Sequence, residues 1–143
     1  MNLPPSDARN TVFKKYDQRA QEFISHGYRT TWWYLANKSL SDWSLLEGIE
    51  LKERIILNVG CSEPIDEIYL SKESKKWIAL DFSPASMVTA SKIVNSELSS
   101  ECVKRISFVT GDALSLPLKD ESIDVVVSFS TIEHIPHEAK RKK

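Results

Sequence analysis

From Arg54 onward the chain alternates short apolar runs with polar or amphipathic stretches, and this alternation constrains its fold more than any other feature. The runs are Ile55-Ile56-Leu57-Asn58-Val59, Trp77-Ile78-Ala79-Leu80, Ile106-Ser107-Phe108-Val109 and Ile123-Asp124-Val125-Val126-Val127. Short, nearly continuous apolar runs suit strands buried on both faces, the condition of a parallel sheet covered by helices. Between the first two, Pro64 to Leu70 fits a short helix. Between the second and third, Ser83 caps a helix with Pro84 in its first turn, and Met87, Ala90, Ser91, Val94 and Leu98 share one face. A polar connection from Gly111 to Ser122, barely long enough for a crossover, leads to the fourth strand. The expected fold class is α/β, a doubly wound parallel sheet.

Residues 1–53 read as an N-terminal helical cap and residues 54–143 as a half-domain, the two forming one structural domain. In the cap, Val12, Phe13, Tyr16, Ala20, Phe23 and Ile24 recur at steps of three and four. A second stretch holds Trp32, Trp33, Leu35, Ala36 and Leu40, and a short third one around Leu45 and Leu46 ends at Gly48. After the fourth run only Ser128 to Lys143 remains, room for one short helix. The domain is therefore expected to be truncated, with the fourth strand an exposed edge on which a second copy could pair.

Charge narrows the partners. The chain of 143 residues has 19 Lys plus Arg against 20 Asp plus Glu, a net charge of −1, with only Lys140-Arg141-Lys142-Lys143 one-signed. No basic face marks a nucleic-acid partner. No apolar run approaches the roughly 20 residues of a membrane helix, and Met1-Asn2-Leu3-Pro4-Pro5 lacks the regions of a signal peptide. Cys61 and Cys102 form no Cys-x-x-Cys pair and no histidines sit at zinc spacing, so free thiols, no metal and a cytoplasmic setting are expected.

In an open parallel sheet, ligands bind beyond the carboxyl ends of the strands, where the strand order reverses. Those ends carry Asn58-Val59-Gly60-Cys61-Ser62, Asp81-Phe82, Gly111-Asp112-Ala113, and Ser128-Phe129-Ser130 with Glu133-His134. Asp81 lies 21 positions beyond Gly60, about the spacing at which an acidic residue accepts hydrogen bonds from a ribose diol. Its alternative role is to cap the helix opening at Ser83. The dinucleotide pattern G-x-G-x-x-G would need glycine at 62 and 65, where Ser and Ile stand, which argues against a nicotinamide cofactor.

These stretches, in this order and spacing, resemble the class I S-adenosylmethionine-dependent methyltransferases, and within them the small-molecule branch of the ubiquinone and menaquinone methyltransferases. The resemblance rests on Ile55 to Cys61, Ala79-Leu80-Asp81-Phe82-Ser83-Pro84-Ala85-Ser86-Met87, Val109 to Ala113 with Leu116-Pro117-Leu118, and Ser122 to Ser128 running to Ile132-Glu133-His134-Ile135. Tyr16-Asp17-x-Arg19-Ala20-x-x-Phe23 resembles the helix that precedes the sheet in that branch. It implies a Rossmann-like fold, S-adenosylmethionine as cofactor and methyl transfer to a small-molecule acceptor.

By this resemblance Gly60, Cys61 and Ser62 line the methionine part of the cofactor, Asp81 holds the ribose hydroxyls, and Phe82 and Met87 pack on the adenine. Asp112 accepts from the adenine amino group with Ala113 beside the ring, Ser128 and Phe129 border the sulfonium, and Tyr16 closes over the site. His134 is a candidate general base. The chain departs from the family in its first loop, with Asn58 where an acidic residue is usual and Ser62 and Pro64 at later glycine positions. It matches only the first four of seven strands. The competing reading is a catalytically inactive binding or interaction protein on the same fold.

Overall fold

The computed structural model describes Lys14, Gln18 and residues 39–135. Most of the helical cap, Tyr16, the Trp32-Trp33 pair and the basic tail lie outside the described residues. Four parallel strands form one sheet in the order β3-β2-β1-β4: β1 (Ile55–Val59), β2 (Lys76–Asp81), β3 (Ile106–Thr110) and β4 (Val125–Val127). The chain steps outward from β1 to β3, then returns past β1 to lay down β4. The strand order thus reverses between β1 and β4, which places the ligand crevice of such a sheet at the ends of those two strands.

Alternation along the strands divides the core in two. Ile56, Trp77, Ala79 and Val127 face α1 (Ile65–Leu70) and α2 (Pro84–Glu97), joining Ile68, Met87, Ala90 and Val94 in one cluster. Leu57, Val59, Ile78 and Leu80 face the other way. That second face is covered partly by Ala113, Leu118 and Ile123 of the β3–β4 connection, which contains no helix. A strap of irregular chain lies where a doubly wound fold would carry a helix.

Helix α2 starts as expected. The Ser83 hydroxyl accepts from Ser86 N at 3.1 Å and Pro84 occupies the first turn, where its missing N–H costs nothing. The buried face comprises Ser86, Met87, Thr89, Ala90 and Val94, while Leu98 is the C-cap, in extended conformation, and only partly buried. A four-residue helix that the sequence pattern does not signal, α3 (Ser100–Val103), is capped by Ser99, which accepts from Cys102 N at 3.4 Å. The expected third N-terminal stretch is a 3-10 turn over Trp43–Leu46, with Gly48 just beyond it at φ +80°.

The fourth strand is shorter than its apolar run. Asp124 N donates to Ile55 O at 2.9 Å, while Asp124 Oδ2 accepts from Ile55 N at 2.7 Å. The side chain thereby satisfies an amide that a further ladder step would have used, and β4 begins at Val125. On its outer side β4 has no strand partner among the described residues, and Val126 is 60% exposed.

Candidate functional site

The loops at the carboxyl ends of the strands are fastened to one another. Gly60 N and Cys61 N both donate to Leu80 O, at 2.7 and 3.2 Å, which folds the loop after β1 across the end of β2. Gly111 N donates to Asp81 O at 2.9 Å and joins the third loop to the second. The Ser128 hydroxyl donates to Val59 O at 3.1 Å, and that of Thr131 lies 3.3 Å from Gly60 O and 3.2 Å from Phe129 O. The Ser128 and Thr131 contacts tie the ends of β1 and β4 together at the reversal point.

Gly60 has φ +77°, a conformation side chains rarely adopt. A Cβ there would run into the side chain of Thr131, so the backbone of the first loop and the segment after β4 meet where only glycine fits. Ser62, two residues on, also has positive φ, at 43°, but carries a side chain. Ser62→Gly is expected to relieve that strain and stabilise the chain by about 0.5–1 kcal/mol, after allowance for the looser unfolded chain. A rise in Tm on thermal denaturation checks this, and an unchanged or lower Tm rejects it.

Asp81 is 4% exposed at the end of β2. Its Oδ2 accepts from Ser62 N at 3.1 Å and its Oδ1 from Ser83 N at 2.9 Å. The helix N-cap is Ser83 itself, so Asp81 serves as more than a cap: it holds the first loop and the start of α2 in a fixed relation. A carboxylate oxygen can accept two hydrogen bonds, so a diol suits it in addition to the two amides.

The other expected site residues fall around this junction. Cys61 is buried with Sγ 4.0 Å from Met87 Sδ, so both side chains belong to the core, and only the backbone of Cys61 is left to face the loop's outer side. Burial pushes the Cys61 thiol well up, and the Glu67, Asp81 and Asp66 carboxylates push it further, which leaves it inert as a nucleophile. Phe82 is half-buried beside Asp81. Asp112 Oδ1 accepts from Leu114 N at 2.9 Å, shaping the third loop, and Ala113 packs on the Leu80 side of the core. Ser128 and Phe129 follow β4, with Phe129 against the helix-side cluster. His134 is exposed in the 3-10 turn Ile132–His134, its N–H donating to Thr131 O at 2.9 Å.

Sequence reasoning missed the polar cluster beneath the first loop. Asn58 Nδ2 donates to Glu67 Oε1 at 2.9 Å, and Trp77 Nε1 donates to the same oxygen at 3.0 Å. Asn58 Nδ2 also lies 3.5 Å from Asp66 Oδ2, and Trp43 Nε1 donates to Asp66 Oδ1 at 2.8 Å. Glu67 is fully buried and its Oε2 has no hydrogen-bond partner. Burial, then the neighbouring Asp66, raise its carboxyl to about 7. The available signal was an indole N–H and a carboxamide inside two buried strands, both of which need a partner.

A family model described as a methyltransferase domain matches residues 56–142. The chain belongs to that family. The norajmaline N-methyltransferase of Rauvolfia serpentina is 29% identical to this methyltransferase-family chain over 90 residues, covering 62% of the chain and 30% of that protein. A protein of Mycolicibacterium smegmatis named "Probable S-adenosylmethionine-dependent methyltransferase" is 30% identical over 87 residues, covering 61% and 30%. The chain thus spans about a third of the length of these relatives. Among solved structures, the [4+2]-cyclase SpnF matches with a TM-score of 0.72 at 18% identity, covering 99% of this chain and 56% of that one. A cyclase on the same fold shows that fold alone does not fix the reaction.

Proposed function

We propose that the chain is the cofactor-binding part of an S-adenosylmethionine-dependent methyltransferase that acts on a small-molecule acceptor. The observation that carries this reading is Asp81, a buried carboxylate at the end of β2, clamped to the first loop by Ser62 N beside the β1–β4 crevice. Family membership and the relative named for this cofactor support it.

When bound, the cofactor supplies a methyl group already activated on a sulfonium. The protein then has to hold, orient and exclude water, and no nucleophile or metal is required of it. Asp81 accepts from the ribose diol; the backbone of Gly60, Cys61 and Ser62 lines the methionine part. Phe82 packs on the adenine with Met87 supporting it from within the core, and Asp112 accepts from the adenine amino group next to Ala113. Ser128 and Phe129 border the reacting end, Tyr16 closes over it, and His134 takes the acceptor's proton where the acceptor is a neutral hydroxyl or amine. The acceptor is quinone-like, lipid-like or sugar-like, and the setting is the cytoplasm, in keeping with the unbridged Cys61 and Cys102. No helix among the described residues is long and apolar enough to cross a membrane.

Calorimetric titration with S-adenosylhomocysteine tests this reading. Micromolar binding is expected, and Asp81→Ala is expected to weaken it about tenfold or more, the loss of charge-assisted hydrogen bonds to a diol. Absence of binding by a chain that is folded by circular dichroism rejects the reading, as does an Asp81→Ala variant of unchanged affinity. Pairing of a second copy on β4 belongs to the same proposal. It predicts a mass in sedimentation that rises with concentration, and a constant monomer mass refutes it.

A further inference from the structure

The polar cluster under the first loop is more than the fold requires. Asp66 and one oxygen of Glu67 suffice for the two indole N–H groups and the carboxamide, yet the second oxygen of the fully buried Glu67 meets no donor. Isolated acidic groups are expensive to bury, and replacing them with apolar residues is often neutral or favourable. The placement is specific: Asn58 is the last but one residue of β1, two positions before Gly60, where the resemblance drawn from the sequence leads one to expect an acid. Glu67 reaches back from α1 to hold that asparagine.

The charges around this point share one sign. Glu67, Asp81 and Asp66 all act on the Cys61 thiol, the residue that follows Gly60. Around Glu67 itself stand Asp66 from its own helix, neutral Asn58 from β1 and neutral Trp77 from β2, while α2 presents apolar Met87, Ala90 and Val94 to the shared core. The underside of the loop thus gathers acidic groups, suited to a positively charged group above it.

Building on the methyltransferase reading, we propose that Glu67 is the buried counter-charge for the cationic amino group of the cofactor. It acts from helix α1 and through Asn58, the strand residue whose carboxamide donates to it. Glu67 is a positioning residue here, since Asn58 and the loop backbone stand between it and the ligand. Arrival of a cation favours the ionised carboxylate, so binding expels the proton that burial keeps on Glu67 in the empty site. The reaction is a simple ionisation: the O–H bond of the carboxyl breaks and buffer takes the proton.

The test is calorimetric titration of the chain with S-adenosylhomocysteine at pH 7 in phosphate and in Tris, buffers of different ionisation enthalpy. With the carboxyl at about 7, roughly half a proton is expected to be released per ligand bound. Glu67→Gln keeps an acceptor for Asn58 and Trp77, and is expected to abolish the buffer dependence and weaken binding about tenfold. The double variant Asn58→Asp/Glu67→Gln returns an acid to the strand and is expected to restore affinity without proton release. Binding by the unaltered chain with no buffer dependence overturns the proposal, and needs no variant to fold. Glu67→Gln that retains both affinity and buffer dependence also overturns it, assigning the proton to another group such as His134. Failure of the unaltered chain to bind at all is a different result, which removes the methyltransferase reading as well.

Discussion

Gly60→Ala is expected to destabilise the chain by about 2–4 kcal/mol and to abolish ligand binding, because two costs fall on one methyl group. The first is conformational. At φ +77° an alanine is held in the left-handed region, at a cost of about 1 kcal/mol or more. The second is steric, since the new Cβ would overlap the side chain of Thr131, whose hydroxyl sits between Gly60 O and Phe129 O. Thr131 cannot give way without moving the segment after β4, the far wall of the crevice. The two costs separate in a double variant: Gly60→Ala/Thr131→Gly should recover the steric part and leave about 1 kcal/mol, as read by urea denaturation. A single variant that loses less than 1 kcal/mol would show that the two loops do not meet as described.

The second large effect is a dependence on pH. Glu67 carries a carboxyl raised from 4.5 to about 7 by burial and by Asp66, so over that interval the folded chain holds a proton that the unfolded chain releases. Because the native state binds more protons, stability falls as pH rises from about 4.5 to about 7, then levels off. The fall amounts to about 3 kcal/mol for a shift of this size. Denaturant titrations at pH 5 and pH 7.5 should show the loss in the unaltered chain and little of it in Glu67→Gln. A stability that rises across this interval in the unaltered chain would mean that Glu67 is ionised in the folded state throughout.

These two positions differ in how far the sequence discloses them. Gly60 ends an apolar run and precedes a small residue, which announces a turn at a strand end. Asp81, 21 positions on, follows from the same local pattern, as do the Ser83 cap and Pro84. Each is announced by its immediate neighbours or, for Asp81, by its spacing from Gly60. Glu67 is decided by the register that sets Ile56 against Trp77 and Asn58 against Ala79, so that β1 and β2 turn Asn58 and Trp77 toward one helix. No local pattern reports a meeting of three elements, and a charged pair in a short helix ordinarily reads as a solvent face. The early end of β4 is hidden for a related reason. Ile123 and Asp124 continue an apolar run, but Asp124 spends its carboxylate on Ile55 N, a partner 69 positions away. The strap over the second face is likewise legible only in part: its length rules out a long helix, while the docking of Leu118 and Ile123 depends on the sheet beneath.

The return of the chain to β4 bears on the order of folding. Strands β1, β2 and β3 are joined in sequence through α1 and α2, and each new pairing closes a short loop. β4 joins β1 only after some sixty residues have intervened, over three residue pairs and without a helix to guide it. Loop-closure entropy delays such a contact, and its small paired length makes it the first of the ladders to open. Among the described strands, one wall of the crevice is thus the last to pair and the first to open. A ligand bridging β1 and β4 would act as a clasp on the least cooperative part of the sheet, slowing unfolding from that edge while leaving the β1–β3 unit much as it was.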